Sequence, residues 1–113
     1  MTVYEEIFEV LKLRKKAFDE GNAPEKSYTC YLYEKGVDKI CKKVGEESTE
    51  TVIAAKNGDP DELISETSDL IYHLSVLLNY QGVSFDDVFE KLTARHTHKR
   101  RDEYGAEGKI KNK

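Results

Sequence analysis

The turn Gly58-Asp59-Pro60 is the strongest architectural instruction in this chain. Glycine suits the left-handed position that closes one helix, aspartate the cap of the next, proline its first residue, and Glu62 the third position of a capping box. Long apolar-periodic runs flank it, Asp38 to Lys56 before and Pro60 to about Tyr80 after. A connection this short makes the two helices antiparallel neighbours.

The remaining segments are helical too. Val3, Ile7, Val10, Leu11, Ala17 and Phe18 fall within one arc at about 100° per residue, which predicts an amphipathic helix over residues 3–20, ended by Gly21 and Asn22. Ser27 is placed to cap a short helix from Tyr28 to Lys35 that closes at Gly36. The helix before the turn carries Val37, Ile40, Cys41, Val44, Ser48, Val52 and Ala55 on one side, with Gly45 as a place to bend. Its partner carries Leu63, Thr67, Leu70, Leu74, Leu77 and Leu78, and Gly82 stops it. Ser84 then caps a last helix with Phe85, Val88, Phe89 and Leu92 as its buried stripe and Asp86 and Asp87 at its positive end. Nothing alternates with period two. The expected fold is all-α, an antiparallel bundle of four main helices plus one short helix, in a single domain over residues 1–101. Residues 102–113, with two glycines and no apolar periodicity, read as a flexible tail.

Composition narrows the function. A chain of 113 residues, 35% charged and without tryptophan, is expected to be one small domain that gains core by pairing with a second copy. A net charge of −4 and a pI near 5.4 argue against nucleic acid or an anionic membrane as partner. No apolar run approaches ~18 residues and the start is not a signal peptide, so a cytoplasmic address is expected. Cys30 and Cys41 lack metal-ligand or redox spacing and read as small buried thiols.

The acids carry the chemistry. With Glu47 at 0° on its helix, Glu50 falls at about −60°, and the apolar residues centre near +80°. With Glu66 at 0° on the partner, Asp69 falls at about −60° and His73 at about −20°, again with apolar residues near +80°. Two acids three residues apart share a face, here at the border of the apolar arc. Heights agree as well. Glu50 lies ~10 Å before the turn and Glu66 ~9 Å after it, whereas Glu47 and Asp69 lie ~15 and ~13.5 Å away. Packed antiparallel, the four carboxylates come level around one point. Their repulsion would raise their pKa values unless a divalent cation stood between them, and hard oxygen donors favour Mg²⁺, with Mn²⁺ as a substitute, over zinc.

Lys39 and Lys43 share the acidic stripe, one and two turns nearer the helix start, while Lys42 projects away. A groove with metal at one end and ammonium groups at the other suits a polyanionic ligand. On the last helix, Arg95, His96 and Lys99 turn the inner face cationic, read either as favourable charge at a helix C-terminus or as phosphate contact, with Arg95 the candidate for the latter. Carboxylate-held metal beside cations is equipment for hydrolysing a phosphoanhydride. Glu46, about 100° from Glu47, is the expected general base, with Glu50 as a rival holding metal and base duties together. There is no Walker loop, dinucleotide glycine fingerprint or serine–histidine arrangement.

Glu46-Glu47-x-x-Glu50, followed after fifteen residues by Glu66-x-x-Asp69, resembles the metal signature of the all-α nucleoside triphosphate pyrophosphohydrolases that include the MazG proteins. More narrowly, Ser27-Tyr28-Thr29-x-x-Leu32, Gly36-x-x-Lys39-Ile40-x-Lys42-Lys43-Val44-Gly45-Glu46-Glu47, Val52-Ile53-Ala54-Ala55-Lys56 and Asp69-Leu70-x-Tyr72-His73-Leu74 resemble the phosphoribosyl-ATP pyrophosphatase family of histidine biosynthesis. That resemblance covers residues 27–95. It implies a MazG-like helical homodimer that cleaves phosphoribosyl-ATP to phosphoribosyl-AMP and pyrophosphate with Mg²⁺. It also implies Glu47, Glu50, Glu66 and Asp69 as metal ligands, Lys39 and Lys43 as phosphate contacts, Tyr28 and Thr29 as substrate contacts, and His73 as a partner of Asp69 behind the metal. From His96 to Arg101 the chain departs from the family pattern. Two further readings share some of these features: a housekeeping pyrophosphohydrolase of dCTP, dUTP or damaged nucleotides, and a non-enzymatic helical interaction module.

Overall fold

A computed structural model describes residues 2–99 of the chain. Its five helices are α1 (Val3–Asp19), α2 (Tyr28–Lys35), α3 (Val37–Asn57), α4 (Pro60–Tyr80) and α5 (Phe85–Lys99), with no strand among the described residues. The predicted tail over residues 102–113 lies outside that range. The described residues fall into two units divided between Val83 and Ser84.

In the first unit, capping chemistry sets the helix limits. Thr2 and Glu5 form a reciprocal capping box that opens α1. The Ser27 hydroxyl accepts from the Cys30 amide at 3.1 Å to open α2, and Gly36, with φ of 91°, separates it from α3. Gly58 sits left-handed at φ 70°, Pro60 opens α4, and the Asp59 carboxylate accepts from the amides of Asp61 and Glu62. Glu62 does not complete the expected box; its carboxylate accepts from the Asn57 side chain at 3.4 Å, across the turn. α3 runs through Gly45 as continuous helix.

α3 and α4 pack along each other as an antiparallel hairpin, α1 lies against α2 and α4, and α2 against α3. From Leu70 to Tyr80 no residue of α4 is exposed, which makes its second half the centre of the unit. Leu11, Leu32, Tyr33, Ile40 and Val76 form the core, flanked by Ile7, Phe18, Tyr72, Leu77 and Tyr80. One polar group is buried among them with partners. The Tyr33 hydroxyl donates to the Leu11 carbonyl at 3.3 Å and accepts from Asn79 at 2.8 Å, and burial pushes its pKa up to about 12.

Two helices differ from the expected phase. On α1 the buried residues are Phe8 and Leu11, whereas Val3 and Val10 are exposed. On α3 the buried residues are Ile40, Glu47 and Ala54, a stripe centred on Glu47 itself, while Cys41, Val52 and Ala55 face outward. Cys41 is therefore an exposed thiol, and only Cys30 is buried.

In the second unit, the Ser84 hydroxyl accepts from the Asp87 amide at 3.2 Å and the Asp87 carboxylate accepts from the Ser84 amide at 2.9 Å, a reciprocal cap for α5. Phe85 and Phe89 stack at 5.7 Å between centroids. The stripe expected to be buried is only partly so: Phe85 and Val88 are half-buried, and Phe89 is 38% and Leu92 49% exposed.

Ile40 is fully buried at the start of the helix that carries the acids. Ile40→Ala is expected to lower unfolding stability by about 2–5 kcal/mol, the range for truncating a close-packed core isoleucine, as read by chemical denaturation.

Candidate metal and phosphate site

The α3–α4 hairpin brings Glu47, Glu66 and Asp69 together. One carboxylate oxygen from each lies within 4.8 Å of the others. Glu47 is buried at 6% exposure, Glu66 is half-buried and Asp69 is exposed, so the cluster sits in the helix–helix seam and opens on one side. Glu50 stands beside this triad rather than in it. It shares a hydrogen bond with Glu66 and acts through its charge on Glu47.

The expectation that the acids border the buried face needs correction for Glu47. It lies in the middle of that face, and the electrostatics follow. Burial first, then the charges of Glu50 and Asp69, raise the Glu47 pKa above the usual carboxylate range, against the opposing pull of His73 and Lys43. Glu66 is pushed up to about 7, chiefly by the hydrogen bond with Glu50, then by burial and the neighbouring carboxylates. Glu47 Oε1 and Glu66 Oε1 are buried with no hydrogen-bond partner. Buried acceptor oxygens are nearly always satisfied, and three hard oxygen donors with two of them orphaned fit a small divalent cation.

Lys43 belongs to the same seam. Its ammonium lies 3.4 Å from Glu46 and 3.8 Å from Glu47. Burial disfavours its charge, but Tyr28, Glu46 and Glu47 together outweigh that and leave its pKa raised. Lys39 is half-buried one turn nearer the helix start, and Lys42 is exposed. Glu46 and Glu50 line an open cleft of about 460 Å³ with Lys42, Gly45 and Thr49. Arg95 is exposed on α5, in the second unit.

α2 contributes two residues to this neighbourhood. The Tyr28 hydroxyl pairs with His73 Nε2 at 2.8 Å, and the Thr29 hydroxyl with the Tyr72 hydroxyl. Thr29 is buried and Tyr28 is 44% exposed. Burial raises the Tyr28 pKa, with Lys43 opposing and Glu47 reinforcing, which places the phenol next to the acids. His73 is buried and meets Asp69 at its backbone, not its carboxylate: Nδ1 donates to the Asp69 carbonyl at 2.8 Å. Both ring nitrogens are thus engaged and neither is free for a metal. Tyr72 is the site-supporting residue that sequence reasoning leaves without a role. Its pairing with Thr29 spans 43 residues, and no local pattern encodes it.

A family model described as phosphoribosyl-ATP pyrophosphohydrolase matches residues 4–96. A phosphoribosyl-ATP pyrophosphatase of Lactiplantibacillus plantarum is 54% identical over 91 residues, covering 80% of this chain and 81% of the relative. One of Streptococcus sanguinis is 54% identical over 94 residues, covering 83% and 82%. The histidine biosynthesis bifunctional protein HisIE of Oceanobacillus iheyensis is 60% identical over 75 residues, which cover 66% of this chain but only 35% of that longer protein. With a match across both the acidic hairpin and the α2 segment that supports it, the chain belongs to the phosphoribosyl-ATP pyrophosphohydrolase family.

Proposed function

We propose that this chain hydrolyses phosphoribosyl-ATP to phosphoribosyl-AMP and pyrophosphate, the second step of histidine biosynthesis, using Mg²⁺ held by Glu47, Glu50, Glu66 and Asp69. The observation that carries the reading is the convergence of Glu47, Glu66 and Asp69 within 4.8 Å, with two of their oxygens orphaned, in a chain of this family. All the donors are carboxylate oxygens, which suits Mg²⁺ and accepts Mn²⁺. When bound, the cation offsets charge on the phosphate oxygens and lowers the pKa of a coordinated water.

The chain's own groups do the rest. Glu46 takes the proton of the attacking water; its exposed carboxylate lines the cleft beside Glu50 and is held by Lys43. Glu50, tied to Glu66, is the rival for that role. Lys39 and Lys43 bind phosphate oxygens along α3, the exposed Tyr28 ring contacts substrate, and Thr29 supports that surface from beneath. Val52, Ile53 and Ile64 are 61%, 52% and 65% exposed on the hairpin that carries the acids, apolar area that a second copy would cover in a homodimer. Among the described residues no helix is long and apolar enough to cross a membrane; the net charge of −4 suits neither nucleic acid nor an anionic bilayer, and the substrate is a small nucleotide.

Assay against a nucleotide panel tests the substrate. Magnesium-dependent pyrophosphate release is expected from phosphoribosyl-ATP and not from ordinary triphosphates; preference for dCTP or dUTP would sink the assignment, and no pyrophosphate from any nucleotide would leave a helical interaction module. Glu47→Gln and Asp69→Asn should abolish turnover while leaving the helical circular dichroism intact, since each removes a carboxylate charge without changing size. Lys43→Ala should reduce turnover more than Lys42→Ala, because Lys43 lies in the seam and Lys42 points to solvent.

The raised acids also fix a pH dependence. A carboxyl whose folded pKa is about 7 and whose unfolded pKa is about 4.3 holds extra protons in the folded state between those values. The site's charge repulsion is therefore absent below about pH 4 and grows as pH rises to 7. Thermal melts of the metal-free protein should show a fall in Tm through this window that is shallower in Glu66→Gln. Added Mg²⁺, which competes with those protons, should raise Tm more at pH 7.5 than at pH 5.5.

A further inference from the structure

His73 is held on three sides. Its Nδ1 faces the Asp69 carbonyl, which can only accept, so Nδ1 carries the proton. Nε2 meets the Tyr28 hydroxyl at 2.8 Å. Tyr28 and Tyr72 meet the imidazole edge to face, at 5.7 and 5.6 Å between centroids and interplanar angles of 81° and 90°. The ring can neither flip nor tilt without breaking one of these contacts.

The next residue along each helix repeats the link. Thr29 bonds Tyr72 as Tyr28 bonds His73, so two consecutive residues at the start of α2 grip two consecutive residues of α4. The inner rung is buried, with Thr29 at 7% exposure and the Tyr72 ring packed on the core. The outer rung ends on the carbonyl of Asp69, one helical turn away, whose carboxylate is a member of the triad. The route therefore runs from the core through Tyr72 and His73 to the backbone of Asp69, whose carboxylate is exposed.

We propose that the first turn of α2 is a positioning clamp for the carboxylate site: Tyr28 and Thr29, acting through His73 and Tyr72, fix Asp69 relative to Glu47 and Glu66 and so set the affinity for the cation. Neither residue touches the cation. The proposal rests on the reading of the triad as a cation site, and it deepens that reading by assigning three hydroxyls to metal affinity rather than to substrate. Residues that orient metal ligands from behind commonly change metal affinity by about 10–100-fold when removed.

Tyr28→Phe, Thr29→Val and Tyr72→Phe each delete one hydroxyl and keep the shape. Calorimetric or paramagnetic titration of the full chain with Mn²⁺ alone is expected to show binding weakened about tenfold in each. At saturating metal, kcat and the KM for phosphoribosyl-ATP in Tyr72→Phe should stay within about twofold of the parent, and Thr29→Ser should restore the parent Mn²⁺ affinity. Tyr28→Phe, at a partly exposed position, keeps the test available if the buried variants fold poorly. Unchanged Mn²⁺ affinity with a lowered Tm would make the rungs a plain staple between helices and overturn the proposal. So would unchanged Mn²⁺ affinity with a raised KM, which would make Tyr28 a substrate contact only. Glu47→Gln serves as the control for the underlying reading: if it leaves Mn²⁺ binding at the parent level, the triad is not the cation site and the clamp falls with it.

Discussion

Carboxylates inside a helix–helix seam are the constraint on which this molecule turns. A seam is ordinarily filled by apolar side chains, because a charge taken from water without a partner is costly. Here the stripe that α3 presents to its neighbours runs Ile40, Glu47, Ala54, with the acid in the middle. Lys43 and His73 relieve part of the cost, but two carboxylate oxygens stay unsatisfied and the pKa values of Glu47 and Glu66 rise. The hairpin must therefore be held at its ends. At one end Ile40 enters the core with Leu11, Leu32, Tyr33 and Val76; at the other, Gly58, Asp59 and Pro60 close a capped turn.

That division explains why three helices, not two, surround the acids. α3 and α4 alone would meet at a line of like charges. α2 lies across them and supplies the polar groups that hold the line in place, with Tyr28 beside Lys43 and Glu47 and bonded to His73. Its short length suits the task. Eight residues between a serine cap and Gly36 place Tyr28 and Thr29 in the first turn, facing α4, while Leu32 and Tyr33 in the second turn reach the core. One small helix thus joins the core to the site.

Much of this was legible in the sequence, because it is encoded locally. Caps, glycines and the Asp59-Pro60 turn set the helix limits to within a residue or two, and the distances from that turn bring Glu47, Glu66 and Asp69 to one level. What the sequence did not show is encoded at long range. Tyr28 and His73 are 45 residues apart, Thr29 and Tyr72 are 43, and no periodicity relates them. Glu62 had two partners available, the Asp59 amide and the Asn57 side chain, and pattern alone cannot rank them. His73 was recognisable as a supporter of Asp69, but a helical projection does not say whether the carboxylate or the carbonyl is met.

The error in the phase of α3 is informative in its own right. A projection locates the mean direction of apolar residues, and it finds the buried face only if all of them are buried against one partner. On α3, Ile40 and Ala54 are buried within the chain, whereas Val52, Cys41 and Ala55 face outward some 80–140° away at 100° per residue. The mean of two faces points at neither, and the predicted arc fell between them. A second copy covering the outward face, as the proposed homodimer requires, would account for both sets of apolar residues at once.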